Sequence, residues 1–164
     1  MDQRYLIALG SNRRHQRFGS PERVLAAALL KLDREGLTLE RAGPVVRSAP
    51  LGPSRRRYAN SAALIATLLN PPELLARLKA IERQFGRRAG GARWTARVLD
   101  LDVVLWSGGA FAAHDLTIPH PQFRRRAFVI TPARAIAGNW RDPLTGLTLR
   151  QLYARLMRPR PRGA

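Results

Sequence analysis

The 164-residue chain has no cysteine and no long apolar run. The lack of cysteine excludes disulfides, thiol catalysis and thiolate metal sites. No apolar run approaches the ~20 residues needed to cross a bilayer, and the first ten residues, MDQRYLIALG, lack the pattern of a signal peptide. Walker-type and kinase-type glycine loops and the paired-histidine protease motif are also missing. From these absences we expect a cytoplasmic protein that has no membrane partner.

Acidic residues are scarce: there are 11 against 29 basic residues, which gives a formal net charge of +18 at pH 7. Such an excess is typical of proteins with polyanionic partners, such as nucleic acid, a membrane surface or phosphorylated small molecules. The only lysines are Lys31 and Lys79, and the arginines are scattered from Arg4 to Arg162. The positions of particular arginines are therefore more informative than the total charge.

The length suits one domain, which we place at residues 1–158, followed by a disordered basic tail at 159–164. Apolar periodicity and capping residues predict strands at 4–9, 37–47, 59–69 and 98–106, with helices beginning at Ser20 and Asn70. Further helices are predicted within 124–137, with Pro132 near one end or at a kink, and at 149–157. The order β-α-β-β-α-β predicts an α+β, ferredoxin-like fold: a mostly antiparallel sheet, two helices on one side and a C-terminal extension.

Two carboxylates, Asp100 and Asp102, interrupt the apolar strand predicted at residues 98–106. Successive side chains of a strand point to opposite faces, so the two aspartates share one face. They lie about 6–7 Å apart along the strand, so that both can bind one cation or each can bind one of a pair. The alternative is a half-exposed strand with a polar outer face. The opposite face is predicted to carry four apolar side chains: Leu99, Leu101, Val103 and Leu105.

An arginine-rich loop precedes this strand. A cationic loop beside paired carboxylates suits a metal–polyphosphate, because carboxylates hold Mg²⁺ while arginines neutralise the remaining phosphate charge. Trp94 can close over such a site and exclude water. The alternative is a run of solvated charges. The arginines of the loop are Arg87, Arg88, Arg93 and Arg97.

Tyr58 and Asn60 lie two residues apart at the start of a predicted strand and therefore share a face. The pair suits a flat heterocycle, since the ring can stack on it and the amide can bond its edge. The alternative is a core tyrosine next to a turn asparagine. Gly10-Ser11-Asn12, at the end of the first predicted strand, either brings backbone N–H groups to a substrate or forms an ordinary turn.

His120 lies in a stiff loop between Pro119 and Pro121. It can donate to a phosphate, take part in proton transfer or be a structural loop histidine. Arg126 and Phe128 follow two residues apart and suit a phosphate contact and a second aromatic wall. Taken alone, each is more often a surface or a core residue.

Six motifs occur in order along the chain: ALGSN, PLGP, Y-x-N, IE-x-x-x-GR-x(5)-RW-x-x-R-x-LDLD, L-T-I-PHP and R-x-F-V. With these motifs the chain strongly resembles the 6-hydroxymethyl-7,8-dihydropterin pyrophosphokinase family, over residues 5–137. The resemblance implies a ferredoxin-like fold and transfer of pyrophosphate from ATP to the pterin hydroxymethyl group, with release of AMP, in folate biosynthesis. A relative with altered catalysis is the first alternative. A nucleic-acid-binding module is the second, and it is disfavoured because the two aspartates repel phosphate in the absence of metal.

The resemblance also implies roles for individual residues. ATP and the reduced pterin alcohol are the expected partners of a monomer, with two Mg²⁺ ions on Asp100 and Asp102. The implied catalytic residues are Arg87, Arg97, Asp100 and Asp102. The implied pterin contacts are Gly10, Ser48, Leu51, Tyr58, Asn60, Trp94 and Phe128. The implied ATP contacts are Arg87, Arg97, Val103, Thr117, His120 and Arg126.

Three departures from the family pattern bear on loop dynamics and ATP affinity. Ala89 stands where many members carry a second arginine of the GR loop. The loop before Tyr58 reads SRRR, where the family is usually acidic or rich in Gln and Pro. Ser48-Ala49-Pro50 replaces a common Thr-x-P pattern. The metal and pterin residues named above are not affected.

Overall fold

The computed structural model describes residues 1–34, 36–50, 56–86, 98–161 and 163. The strands in these ranges are β1 (Gln3–Ser11), β2 (Leu37–Ala42), β3 (Val46–Ser48), β4 (Tyr58–Thr67), β5 (Asp100–Trp106), β6 (Phe111–Ala113) and β7 (Leu116–Ile118). The helices are α1 (Pro21–Lys31), α2 (Pro71–Gln84), α3 (Ala127–Ala137) and α4 (Leu149–Leu156), and a 3₁₀ turn covers Phe123–Arg125.

The main sheet is antiparallel and has the strand order β2–β4–β1–β5, with β3 pairing with β4 on the same side as β2. Because β4 lies between β1 and β2, the segment β1-α1-β2 is a split β-α-β unit. Because β1 lies between β4 and β5, the segment β4-α2-β5 is a second one. The antiparallel α+β class is confirmed, and the strand order agrees with the ferredoxin-like pattern.

Both predicted helix starts are confirmed by their caps. The Ser20 hydroxyl accepts a hydrogen bond from the Arg23 N–H at 3.5 Å. At α2, Asn70 Oδ1 accepts from the Glu73 N–H at 3.0 Å and Glu73 Oε2 accepts from the Asn70 N–H at 2.8 Å. This reciprocal capping box fixes where the helix begins. In the described part of the chain no helix is long and apolar enough to cross a membrane.

The predicted strand at residues 37–47 is two strands, β2 and β3, separated at Gly43, Pro44 and Val45. A Cβ on Gly43 would lie 2.9 Å from the carbonyl oxygen of Pro132, so the chain passes too close to α3 here for a larger residue. Pro132 itself lies inside α3. Of the two predicted alternatives, a position near a helix end is therefore wrong, and a kink at Pro132 stays a prediction.

Helices cover both faces of the sheet. Tyr5, Ile7 and Leu9 of β1 belong to a first core cluster with α1 and α2. Leu6 of β1 belongs to a second core cluster with α3 and α4. Helices α1 and α2 thus cover one face of the sheet as expected, and the C-terminal extension forms a third layer on the other face.

The alternation of β5 changes at a β-bulge. Ile7 pairs with Val103 and Leu6 pairs with Leu105, so Val104 is an extra residue on β5. Leu99, Leu101 and Val103 lie in the first core cluster, as predicted. The prediction for Leu105 is wrong: it packs with Val104 in the second cluster, because the extra residue resets which side chains point to which face.

Candidate active site

The register of β1 brings three predicted site residues together at one end of the sheet. Gly10 pairs with Asn60 of β4 on one side and with Asp100 of β5 on the other. Asp102 lies two residues further along β5, opposite Ala8. A central strand therefore places an amide on one side of a glycine and a pair of carboxylates on the other.

The two aspartates lie on the face of β5 predicted from alternation. Leu101, between them, is buried in the first core cluster, so Asp100 and Asp102 point to the opposite face. Asp100 is half-buried and Asp102 is exposed. Their partners across β1 are Gly10 and Ala8, so only small residues stand opposite the carboxylates.

These carboxylates fit magnesium, which prefers oxygen ligands and commonly keeps several waters while sharing substrate phosphate oxygens. Asp102 is accessible to solvent, and the β1 residues that pair with the two aspartates, Gly10 and Ala8, are small. Among the described residues there is no group of three or more His, Asp or Glu side chains that could hold a metal alone. A cation held here by Asp100 and Asp102 would need further ligands beyond this pair, which water and substrate phosphates commonly supply to magnesium.

Gly10, Ser48, Tyr58 and Asn60 form one cluster beside the acidic strand. Asn60 Nδ2 donates to Ser48 Oγ at 2.9 Å and to the Val46 carbonyl at 3.4 Å. A Cβ on Gly10 would lie 3.5 Å from Asn60 Oδ1 and 3.7 Å from Tyr58 Cδ1. Gly10 lies within β1, which continues to Ser11, so the strand extends beyond its predicted end at residue 9. The approach of backbone N–H groups of residues 10–12 to a substrate stays a prediction. Glycine at this position therefore places no side chain against the amide oxygen of Asn60 or the ring of Tyr58.

His120 is held by hydrogen bonds on both its backbone and its ring. Its N–H donates to the Val104 carbonyl at 3.0 Å, and its Nδ1 accepts from the Gln122 N–H at 3.1 Å. In the neutral ring Nε2 therefore carries the hydrogen. Burial lowers the pKa of His120, the negative charge of Asp102 raises it and the positive charge of Arg126 lowers it, with a net decrease. The imidazole is thus a neutral donor near pH 7, with Asp102 and Arg126 close to it.

Arg126 and Phe128 lie at the start of α3. The Arg126 guanidinium lies 5.7 Å from the centre of the Phe128 ring, and Phe128 packs half-buried against the second core cluster. The arginine contributes positive charge near His120, and the phenylalanine contributes a ring that its own helix anchors.

The remaining predicted residues have different positions. Val103 is 3% exposed and packs in the first core cluster, so β5 can offer a ligand little more than its backbone there. Thr117 is exposed on β7, opposite Ala112. Four predicted site residues lie outside the described ranges, as does Ala89: Leu51, Arg87, Trp94 and Arg97.

Glu82, at the end of α2, is a buried carboxylate that the sequence motifs include but to which no role was assigned. It is 4% exposed, and its Oε1 accepts from the Leu101 N–H at 2.9 Å. Because β5 is the edge strand, backbone groups on its open side need partners from outside the sheet. Glu82 provides such a partner for the backbone N–H of Leu101, the residue between the two aspartates. Its spacing from Leu74 and Leu78 places it on the buried helix face, and this signal could have identified it.

We expect Glu82→Ala to lower the free energy of unfolding by about 1–3 kcal/mol, because the buried Leu101 N–H loses its acceptor. Glu82→Gln keeps an oxygen at the same position and should lose less than half as much. Urea unfolding measures both. Lys79→Ala, at an exposed position of the same helix, is the control, and a loss from Glu82→Ala no larger than that of this control contradicts the role assigned to Glu82.

The fold and the site together define a small α+β domain whose sheet end presents an amide, aromatic rings, a neutral histidine and paired carboxylates. Residues 6–138 match the model of the 7,8-dihydro-6-hydroxymethylpterin-pyrophosphokinase (HPPK) family. The chain belongs to this family, as the motifs of the sequence indicated.

Curated relatives named 2-amino-4-hydroxy-6-hydroxymethyldihydropteridine pyrophosphokinase resemble the chain over most of its length. The Synechocystis protein is 41% identical over 117 residues, which are 71% of this chain and 60% of that protein. The Pseudomonas aeruginosa protein is 37% identical over 145 residues, 87% of this chain and 86% of that protein. The structure of Plasmodium falciparum HPPK-DHPS superimposes with a TM-score of 0.73 at 12% identity, covering 94% of this chain and 45% of that one. At this identity the structural likeness shows a shared fold.

Proposed function

We propose that the protein transfers pyrophosphate from ATP to the hydroxymethyl group of 6-hydroxymethyl-7,8-dihydropterin and releases AMP, as a step of folate biosynthesis. The observation that carries this proposal is the family match over residues 6–138, which includes Asp100 and Asp102 on one open face of an edge strand. The names of the bacterial relatives support the same reaction. The Arabidopsis relative named as a folate synthesis bifunctional protein, 34% identical over 135 residues, supports the pathway.

The pterin binds at Gly10, Tyr58 and Asn60. The Tyr58 ring stacks on one face of the heterocycle, and Phe128 supplies the other wall. Asn60 keeps its Oδ1 for the pterin edge because its Nδ2 already donates to Ser48 and Val46. The fixed amide orientation selects an N–H donor on the ligand, which the amino-pyrimidine edge of a pterin offers. Ser48, Leu51 and Trp94 complete this set.

We expect Asn60→Ala to raise KM for the pterin by about tenfold to a hundredfold, because a ligand donor loses its buried acceptor. KM for ATP should change by less than about twofold, since the amide lies on the far side of β1 from β5. Steady-state kinetics with each substrate varied in turn measures the two effects. Ser48→Ala, which removes one of the two partners of Nδ2, should show a smaller rise in the same constant. An equal rise in both KM values contradicts the assignment.

ATP binds as a magnesium complex along the β5 side of the site. Asp100 and Asp102 would hold two Mg²⁺ ions, which would polarise the phosphate oxygens and lower the pKa of the attacking alcohol. His120 donates from Nε2 to a phosphate oxygen, and Arg126 neutralises phosphate charge. Arg87 and Arg97 stabilise the charge that develops in the transition state. Val103 and Thr117 flank the adenosine. The pterin alcohol attacks the β-phosphorus in line, so the protein chiefly aligns the reactants and needs no nucleophile of its own.

The test is AMP release from ATP with the reduced pterin alcohol and Mg²⁺. The proposal expects one AMP and one pterin pyrophosphate per turnover, with no AMP when the pterin or the magnesium is omitted. Binding of both substrates without AMP formation would instead identify a relative with altered catalysis, and tight salt-sensitive binding of unrelated nucleic acids would support a nucleic-acid module. A single domain over 1–158, a monomeric state and a cytoplasmic location stay predictions.

A further inference from the structure

Asp142 is a buried carboxylate beyond residues 6–138, the part of the chain that the family model matches. It is 0% exposed. Its Oδ2 accepts from Arg124 Nε at 2.6 Å and from Thr145 Oγ1 at 2.7 Å, and its Oδ1 accepts from Arg124 Nη2 at 2.8 Å and from the Leu144 N–H at 3.1 Å. A bidentate arginine–carboxylate pair is stronger and more directional than a single hydrogen bond, and the carboxylate of this pair is closed to solvent. It joins the C-terminal extension to one particular arginine.

Arg124 belongs to the 3₁₀ turn that connects His120 with Arg126. Its guanidinium lies 4.7 Å from the centre of the Phe123 ring, and Phe123 is buried in the second core cluster. The Phe123 N–H donates to the His120 carbonyl at 3.3 Å, and the Arg126 N–H donates to the Phe123 carbonyl at 3.2 Å. Movement of Arg124 therefore moves the backbone that carries both His120 and Arg126.

The segment that presents Asp142 is itself rigid. The Asp142 N–H donates to the Leu147 carbonyl and the Gly146 N–H donates to the Asp142 carbonyl, both at 2.8 Å. Arg141 Nη1 donates to the Gly146 carbonyl at 2.7 Å. Leu149, directly after this turn, is fully buried in the second core cluster. These contacts hold the Asp142 carboxylate in place independently of its ion pair with Arg124.

We propose that Asp142 is a positioning residue that acts through Arg124 and holds His120 and Arg126 in the orientation that receives the ATP phosphates. This inference rests on the proposed assignment of His120 and Arg126 to those phosphates. Neither Asp142 nor Arg124 belongs to the proposed contact set. The C-terminal extension thereby contributes to catalysis through one ion pair, in addition to covering the second face of the sheet.

The test uses Asp142→Asn in the full-length chain, which keeps the shape of the side chain and removes its charge. KM for ATP should rise by about tenfold, since a small misplacement of phosphate contacts costs about this much or more, while KM for the pterin stays within about twofold. Glu40→Gln is the matched control, because it removes the carboxylate of the exposed Arg4–Glu40 pair and should change neither constant. Arg124→Lys keeps the charge but loses the bidentate geometry and should give an intermediate KM, which also provides a folded variant if Asp142→Asn does not fold.

NMR gives a readout that does not depend on the reaction. The chain has three histidines, so the His120 ring signals can be followed beside those of His15 and His114 at one fixed pH. In Asp142→Asn the His120 signals should shift and those of the other two should not. Unchanged His120 signals, or a fall in kcat that only follows the folded fraction with both KM values unaltered, overturns the inference. If the His120 signals move but His120→Ala and Arg126→Ala leave KM for ATP unchanged, the positioning stands and the phosphate assignment fails.

Discussion

Replacement of Asp102 by asparagine is expected to lower kcat/KM for ATP by about a thousandfold, which is the scale of losing one preorganised electrostatic contact to a reacting phosphate. Asparagine keeps the size of the side chain and removes the negative charge that would hold a divalent cation. Asp102 is exposed on β5, so the free energy of unfolding should change by less than about 0.5 kcal/mol. Asp100→Asn should give a similar loss. AMP release at varied Mg²⁺ measures both, and the Mg²⁺ concentration for half-maximal rate should rise in each variant.

The control for this experiment is Asp115→Asn, which removes an equivalent charge from an exposed position between β6 and β7. It should leave kcat/KM and the magnesium dependence unaltered. If Asp100→Asn and Asp102→Asn both turn over like this control, the carboxylates are the polar outer face of a strand and the metal roles are wrong. A loss in the two variants that persists at saturating Mg²⁺ indicates that the charge also acts on the bound phosphates.

Local sequence signals predicted most of the fold, because each of them depends on residues that lie close together along the chain. The capping pair Asn70 and Glu73 determined the start of α2, and simple alternation placed Leu99, Leu101 and Val103 on one face of β5. Alternation failed at Leu105, because a bulge arises from the pairing of two strands and leaves no mark on one strand alone. The division of β2 from β3 also depends on tertiary structure, in this case on how closely Gly43 approaches α3.

The sequence predicted which residue types form the site better than it predicted how those residues are arranged in space. Alternation shows that Asp100 and Asp102 share a face, but only the register of β1 with both neighbours brings Gly10 between Asn60 and Asp100. The proposed reaction was inferred from the family motifs and the order in which they occur. Glu82 and Asp142 were assigned no role from the sequence, because the main partner of each buried acid, the Leu101 N–H or Arg124, lies far away along the chain. A local signal exists for Glu82 alone, in its helical spacing from Leu74 and Leu78.

Acid should destabilise the wild-type protein partly through Asp142. Burial raises the pKa of Asp142. Hydrogen bonds from Arg124, Thr145 and the Leu144 N–H, together with the charge of Arg124, lower this pKa by more than burial raises it, so the folded-state pKa lies below its usual value. A carboxyl group with a depressed folded-state pKa contributes stability above its unfolded pKa of about 3.9. That contribution is lost as the pH falls through the folded-state pKa. We therefore expect the difference in unfolding free energy between wild type and Asp142→Asn to be largest at neutral pH and to shrink below about pH 4.

At neutral pH the expected difference is about 3 kcal/mol, the lower end of the range for breaking a buried ion pair, because Arg124 keeps 27% exposure and can reach water once its partner is neutral. Arg124→Gln should cost more than Asp142→Asn, since it leaves the carboxylate buried without its cation. Urea unfolding at several values between pH 7 and pH 3 measures these differences, with Glu40→Gln as the exposed ion-pair control that should stay close to wild type. A difference between wild type and Asp142→Asn that is constant over this range means that Asp142 stabilises the fold by packing alone, and its hydrogen bonds then do not favour the charged form.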